Sequence, residues 1–351
     1  MTENEVKALV RPNIAVLAPY STARDEFKGR LGVFLDANES PYPSGWNRYP
    51  DPRQKALKEA IAPIKGVRPE NIFLGNGSDE AIDLVFRVFC RPGKDNVVAI
   101  SPSYGMYSVS AQINDVEVRE VPLREDFSLD PDALLSRCDG CTKAVFLCSP
   151  NNPSGNAIPR SAIFNILDNF HGIVVVDEAY IDFCSQPSLL DSLDIYPNLL
   201  VLQTFSKARG LAALRLGMAF AQEFIIALMS EVKYPYNINE STQRLALEAL
   251  GTDISAQVKE IIAERGRVAA ELAKCRCIRK VWPSEANFIL AETDDADAMY
   301  DYLTAAGIIV RNRTRVRGCR NCLRITIGLR EENDKLLQSI SEYEKESDIR
   351  R

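Results

Sequence analysis

The sequence predicts an α/β fold, with a mostly parallel sheet flanked by helices and a small α+β domain after it. Short apolar, β-branched runs alternate with helical patterns through the middle of the chain, as they do in parallel βαβ units. The chain has 351 residues, 46% of them hydrophobic and 26% charged, which is enough for one large and one smaller domain. From about residue 281 the strands become shorter and only one helix separates them.

The predicted elements follow from hydrophobic periodicity. In the large domain the strands are 97–100, 144–148, 173–176, 199–203 and 216–221, and the helices are 54–61, 78–89 and 241–273, broken near Gly251. In the small domain the strands are 287–292, 308–311 and 323–328, and the helix is 296–306. The first 35 or so residues have weak periodicity, and we expect them to pack against the small domain or a partner chain. The predicted divisions are therefore 1–35, 36–255 and 256–351.

Composition and charge narrow the classes of function. The net charge of −6 gives no electrostatic reason to expect nucleic acid or an anionic membrane as a partner. The N-terminus lacks a signal-peptide pattern, and no stretch approaches 18 uncharged apolar residues. Nine cysteines, an odd number without short regular spacing, favour reduced thiols. We therefore expect a cytoplasmic protein that acts on small molecules.

The residues that could bind a metal are sparse. Two Cys-x-x-Cys pairs, Cys138/Cys141 and Cys319/Cys322, lie about 180 residues apart, whereas the pairs of a structural zinc site usually lie within ~20 residues. Buried or incidental cysteines are the better interpretation. His171 is the single histidine and directly precedes an apolar strand, so a structural role is favoured for it. We predict no metal site.

Polar segments follow four of the predicted strands. They are SPSYGMY, SPNNPSG, DEAY and TFSKARG, in chain order. Because ligands of parallel sheets bind beyond the carboxyl ends of the strands, we expect these four loops to converge at one edge.

These loops carry the groups that pyridoxal 5′-phosphate requires. Lys207 could form a Schiff base if partial burial and nearby positive charge lowered its pKa. Asp177 could keep the pyridine nitrogen protonated, so that the ring accepts electrons. Tyr180 and the amide of Asn152 could donate hydrogen bonds to the ring oxygen.

A second group of residues suits the cofactor phosphate. The segment GNGSDEAIDLVFRVF predicts a glycine-containing turn that leads into an amphipathic helix, whose free N–H groups favour an anion. The expected contacts are Gly77, Ser78, Asp79, Ser206 and Arg215, while Tyr104 could stack on the ring. Each feature alone could be a helix cap, a turn or a core aromatic. Their joint occurrence, in order and at the ends of predicted elements, favours a cofactor site.

The motifs GNGSDE, SPSYGMY, SPNNPSG, DEAY and TFSKARGLAALRLG together resemble those of fold-type I pyridoxal-phosphate aminotransferases, over most of the chain. LDANESP, NRYPDP, GIIVRNR and CLRITIG resemble, more narrowly, the histidinol-phosphate aminotransferases of that family. The resemblance implies a mostly parallel seven-stranded sheet and a homodimer with shared active sites. It also implies transamination between histidinol phosphate and 2-oxoglutarate, with glutamate as the partner amino acid, in histidine biosynthesis.

The resemblance also implies roles for individual residues. Lys207 would bond to the cofactor and carry the proton, Asp177 would pair with the ring nitrogen, and Tyr180 and Asn152 would hold the ring oxygen. The cofactor phosphate would be bound by Ser78, Asp79, Ser206, Arg215 and, from the second subunit, Tyr49. The substrate contacts would be Asn38, Tyr20 of the neighbouring chain, Arg311 for the substrate phosphate and Arg324 for the carboxylate.

The segment RNRTRVRGCRNCLR holds six arginines, four of them at the period of a strand. For Arg313, Arg315 and Arg317 we expect a solvated basic face on an edge strand.

Three other functions stay open. One is an aromatic amino-acid aminotransferase, and another is a pyridoxal-phosphate decarboxylase of a phosphorylated amino acid, which would not need 2-oxoglutarate. The third is a binding protein without enzymatic activity, which would stay colourless with added cofactor.

Overall fold

The computed structural model describes residues 1–20 and 32–349, with side chains described up to residue 346. Seven strands form the sheet of the large domain: β1 Ile72–Asn76, β2 Asn96–Ser101, β3 Glu117–Pro122, β4 Thr142–Cys148, β5 Ile173–Asp177, β6 Leu199–Thr204 and β7 Leu216–Phe220. Their order is β1-β7-β6-β5-β4-β2-β3, and β7 is antiparallel to both of its neighbours. The other neighbouring pairs are parallel. The predicted α/β fold class is confirmed.

The central strands form because both of their faces are covered. In β4 and β5, alternate residues point into two separate hydrophobic clusters: Val145 and Val174 belong to one, and Phe146 and Val175 to the other. Strands buried on both faces read as continuous β-branched runs, which is why these strands were predicted to within two residues. The edge strand β3 was not predicted, because Glu117, Arg119 and Glu120 make it polar.

Helices cover both faces of the sheet. The described helices are α1 Glu3–Lys7, α2 Pro12–Ala15, α3 Lys55–Lys65, α4 Ser78–Phe89, α5 Met106–Ile113, α6 Pro131–Leu135, α7 Arg160–Asn169, α8 Glu223–Val232, α9 Glu240–Leu250 and α10 Ser255–Leu272. The predicted bounds of α4 match the structure, and the predicted break near Gly251 separates α9 from α10. No helix in the described ranges is long and apolar enough to cross a membrane.

The N-terminal helices pack on the large domain. Val6, Val10 and Ile14 join the hydrophobic cluster that contains α4, and the Arg11 N–H donates to the Val88 carbonyl at 2.9 Å. This differs from the packing against the small domain or a partner chain that the sequence predicted. The weak periodicity of these short helices does not specify which surface they contact.

The small domain has a four-stranded antiparallel sheet and two helices. Its strands are β8 Ile278–Val281, β9 Phe288–Thr293, β10 Arg311–Asn312 and β11 Cys322–Thr326, in the order β10-β11-β9-β8, and its helices are α11 Ala296–Ala305 and α12 Arg330–Ile349. The predicted strand at 308–311 is wrong in its bounds, since only Arg311 and Asn312 pair with β11. The apolar pattern there reflects packing of Ile308 and Val310 into the core of this domain.

Candidate active site

The polar loops of the large sheet meet at one edge, as predicted. The parallel strands β2, β4, β5 and β6 all end there, and β7 begins there because it runs in the opposite direction. The edge encloses a cavity of about 140 Å³. It is lined by Gly77, Ser78, Asp79, Tyr104, Cys148, Asn152, Asp177, Ala179, Tyr180, Thr204, Ser206, Lys207, Ala212 and Arg215.

The cavity lining includes every cofactor contact predicted for this subunit. Arg324 is linked to it, because its Nη1 donates to Oδ1 of Asn152 at 2.5 Å. The other predicted residues do not line the cavity. Tyr20 and Tyr49 are 75% and 49% exposed, and Asn38 and Arg311 are exposed as well.

Asp177 is a buried carboxylate at the end of β5, with 3% of its surface exposed. Its Oδ2 accepts a hydrogen bond from the Tyr107 hydroxyl at 2.8 Å, and its Oδ1 accepts one from the Ala179 N–H at 3.0 Å. Burial nevertheless raises the pKa of Asp177 to about 6. A carboxylate in this position favours a cationic partner, which would restore its charged form.

Lys207 extends from the loop after β6 into the same cavity. Its Nζ lies 5.6 Å from the centre of the Tyr180 ring. The side chain is exposed to solvent along part of its length. Partial burial of the amine and the charge of the nearby Arg324 lower the pKa of Lys207, whereas the charge of Asp177 raises it by less. A lowered pKa increases the fraction of neutral, nucleophilic amine near pH 7.

The N-terminus of α4 forms a cradle for an anion. Gly77 precedes α4 with a φ of 72°, and no described side chain caps the first turn. Ser78 and Asp79, the first residues of α4, line the cavity, so the uncapped N–H groups of this turn lie at its edge. The Gly77 N–H donates to the Arg215 carbonyl at 2.6 Å. A Cβ on Gly217 would lie 2.1 Å from the Gly77 carbonyl carbon, so only glycine permits this close backbone contact.

Asp79 orients the side chains around this cradle. Its Oδ1 accepts a hydrogen bond from the Tyr104 hydroxyl at 3.0 Å, and its Oδ2 lies 3.5 Å from Nη2 of Arg215. On the other side, Ser206 is held by Thr204, whose Oγ1 accepts from the Ser206 N–H at 3.0 Å. The carboxylate of Asp79 would repel an anion, so its contribution to anion binding is its N–H and its contact with Arg215.

Sequence reasoning missed Tyr107, which is fully buried beside Asp177. Its ring stacks on Phe146, with centroids 5.0 Å apart, and meets the edge of Tyr104 at 5.7 Å. The spacing of three residues in SPSYGMY places Tyr104 just before α5 and Tyr107 in its first turn, which is a signal that could have linked them.

The chain matches the model of a known protein family. Residues 35–340 match the model of the family described as aminotransferase class I and II. The chain therefore belongs to the class I and II aminotransferase family.

The narrower resemblance, to histidinol-phosphate aminotransferases, is also confirmed. A histidinol-phosphate aminotransferase from Parabacteroides distasonis is 56% identical over 338 residues, which are 96% of this chain and 98% of that protein. The crystal structure of the Clostridium acetobutylicum histidinol-phosphate aminotransferase has a TM-score of 0.80 and 26% identity, covering 86% of this chain and 92% of that one. The Sinorhizobium meliloti enzyme, solved in complex with pyridoxal-5′-phosphate, has a TM-score of 0.77 and 25% identity, covering 88% and 90%.

Proposed function

We propose that this aminotransferase uses pyridoxal 5′-phosphate to transfer an amino group between histidinol phosphate and 2-oxoglutarate. The main observation is that Lys207 and Asp177 face one cavity, with a lowered pKa for the amine and a raised pKa for the buried carboxylate. The relatives named histidinol-phosphate aminotransferase match nearly the whole chain, which supports the choice of substrates.

The chemistry of the cavity fits this cofactor. The buried Asp177 suits a protonated pyridine nitrogen, which would remove the energetic cost of burying its charge without a cation. The first turn of α4, Ser206 and Arg215 suit the phosphate. Tyr180 and Asn152 would hold the ring oxygen, and Tyr104, held by Asp79, would cover a face of the ring.

The bound cofactor supplies a ring that accepts electrons from the substrate carbon when a proton leaves it. Lys207 would hold the cofactor through its Nζ when no substrate is bound. With the substrate amine in that place, the Nζ of Lys207 would be free to take the proton from the substrate carbon and to return it on the cofactor side. Arg324, held by Asn152, binds the carboxylate of glutamate or 2-oxoglutarate.

The two substrates require cations at different distances from Lys207. Glutamate has a carboxylate on the carbon that bears its amine, whereas histidinol phosphate has no carboxylate and carries its phosphate one carbon and one oxygen further out. Arg324 exerts the largest effect of any nearby charge on the pKa of Lys207, which suits the inner anion. Arg311 lies opposite Arg324 on β10, where it suits the outer one.

We also propose a cytoplasmic homodimer with shared sites. Tyr49, stacked on Tyr236 with ring centroids 4.4 Å apart, would reach the cofactor phosphate of the second subunit, and Tyr20 and Asn38 would contact its substrate. The exposure of Tyr20 and Tyr49 supports this role. The proposed units are an N-terminal segment at 1–35, a cofactor-binding domain at 36–255 and a small domain at 256–351.

An absorbance scan of the cofactor-loaded protein tests the proposal. We expect a visible band from the lysine-bound cofactor that bleaches on single additions of histidinol phosphate or glutamate, and weakly on phenylalanine. No band would refute a cofactor role for Lys207. Bleaching by phenylalanine as strong as by histidinol phosphate would favour an aromatic aminotransferase. Release of carbon dioxide without any need for 2-oxoglutarate would favour a decarboxylase.

A further inference from the structure

Arg313 is a half-buried cation that has no ion-pair partner among the residues that the structure describes. It lies one residue after β10, where its backbone N–H donates to the Cys322 carbonyl at 2.8 Å. The Nε of its guanidinium is buried and has no hydrogen-bond partner among the residues described. The expectation of a solvated basic face is therefore wrong for Arg313, although Arg315 and Arg317 are exposed.

The strongest charges around Arg313 have the same sign. Arg311 and Arg324 are register partners across β10 and β11, and Arg313 lies two residues after Arg311, on the same face. Burial, Arg324 and Arg311 all lower the pKa of the Arg313 guanidinium. In the described part of the chain, no carboxylate forms an ion pair with any of the three, whereas the neighbouring Arg317 lies 3.9 Å from Glu120.

Three guanidiniums held together without an anion repel one another, and the cost rises as they are desolvated. Arg324 donates to Asn152, which lines the cavity, and the charge of Arg313 opposes the burial that raises the pKa of the Tyr180 hydroxyl in the same lining. The cluster therefore lies beside the active site, and a negatively charged ligand there would convert repulsion into attraction.

We propose that Arg313 is a further specificity-determining residue, which binds the phosphate group of the amine substrate together with Arg311 while Arg324 is kept for the carboxylate. This inference rests on the proposed function and deepens it. A phosphate dianion can accept hydrogen bonds from two guanidiniums at once. Arg324 is already bonded to Asn152 and exerts the strongest effect on Lys207, so Arg311 and Arg313 remain for the outer group.

The test compares Arg313→Gln with Arg315→Gln, which removes the same charge two residues further along, at an exposed position. Inorganic phosphate is titrated calorimetrically into the cofactor-loaded protein, whose cofactor-phosphate site is already filled. Loss of a hydrogen bond to a charged group should weaken phosphate binding by ~10- to 100-fold in Arg313→Gln and by less than about 3-fold in Arg315→Gln.

The substrate comparison uses histidinol phosphate, histidinol and glutamate. In Arg313→Gln, kcat/KM for histidinol phosphate should fall by the same ~10- to 100-fold, while kcat/KM for histidinol and for glutamate changes little. An equal fall for glutamate would overturn the assignment to phosphate. Unchanged values for histidinol phosphate and inorganic phosphate would overturn the proposal altogether.

A structural role for Arg313 predicts a different result. If Arg313 only supported the fold, Arg313→Gln should lower the melting temperature of the ligand-free protein. Relief of repulsion should instead leave that temperature unchanged or raise it, and Arg313→Lys should keep part of the phosphate affinity. Phosphate binding does not require turnover, so a parent protein that binds phosphate through Arg313 but does not transaminate histidinol phosphate would refute the proposed function alone.

Discussion

The proposed cofactor side of the site, around Asp177 and Asp79, differs from the proposed substrate side, around Arg311, Arg313 and Arg324, in how its charged groups are paired. On the cofactor side, the carboxylates already have donors: Asp177 accepts from Tyr107 and Ala179, and Asp79 accepts from Tyr104. On the substrate side, Arg311, Arg313 and Arg324 have no carboxylate partner in the described part of the chain. Arg324 instead donates to the amide oxygen of Asn152 and lies over the Phe288 ring.

The difference follows from what each side binds. A cofactor that stays bound can be matched by side chains that the protein holds in place beforehand. In the proposed function, the substrate side binds a phosphate and a carboxylate in turn, so a permanent carboxylate partner there would compete with both. The cofactor side is therefore preorganised, and the substrate side keeps its positive charge available.

The largest effect is expected from removal of the reactive amine on the cofactor side. Lys207→Ala should reduce multiple-turnover transamination by more than the ~10²- to 10⁴-fold that acid–base catalysis contributes, because the covalent attachment is lost as well. Steady-state assays measure this. Lys274→Ala, which removes an exposed lysine paired with Glu271, is the control and should behave like the parent. Retained multiple turnover in Lys207→Ala would refute the assignment.

A smaller loss is expected from Asp177→Asn, which keeps the shape of the side chain and removes its charge. The ring nitrogen would no longer be held protonated, so kcat should fall by ~10²- to 10³-fold. The matched control is Glu178→Gln. This adjacent buried carboxylate accepts from Gln203 and the Leu189 N–H, so its removal should leave the cofactor spectrum unchanged. An Asp177→Asn variant as fast as the parent would remove Asp177 from this role.

Asp177 should also make the stability of the cofactor-free protein depend on pH. Burial raises the pKa of Asp177 from 3.8 to about 6. Between these two pH values the folded protein therefore holds a proton that the unfolded chain has released. Its contribution to stability is present below about pH 4 and is lost as the pH rises to 6, a change of about 3 kcal/mol. Thermal unfolding of Asp177→Asn should lack this decline. The same decline in both proteins would contradict it.

The smallest effect sharpens the comparison, because Tyr107→Phe removes one donor and keeps the ring. The hydrogen bond from Tyr107 lowers the pKa of Asp177, so its loss should raise that pKa and move the acidic limb of the pH–rate profile to higher pH. Activity near pH 7 should fall by ~10-fold. Tyr302→Phe, at a tyrosine 3.3 Å from Glu346 on the surface, is the control. A lower rate with an unmoved pH profile would make Tyr107 merely structural.

The elements that the sequence predicted well are those whose pattern is local. β4 and β5 are continuous apolar runs because both of their faces are buried, and α4 begins after a glycine turn and carries a regular apolar face. Strands at the edges were missed or misplaced. β3 and β8 carry charges toward solvent, and β10 is two residues long, so periodicity does not distinguish them from loops.

By itself the sequence determined the order of strands and helices and the reactive groups that follow each strand. It did so because apolar runs and strand-end residues are read over only a few positions. Only the tertiary structure decided that Tyr107 bonds to Asp177, 70 residues away, and that Arg324 bonds to Asn152, 172 residues away. It also decided that Arg313 is half-buried beside like charges. Burial and charge coupling depend on which elements pack together, and no local pattern in the chain carries that information.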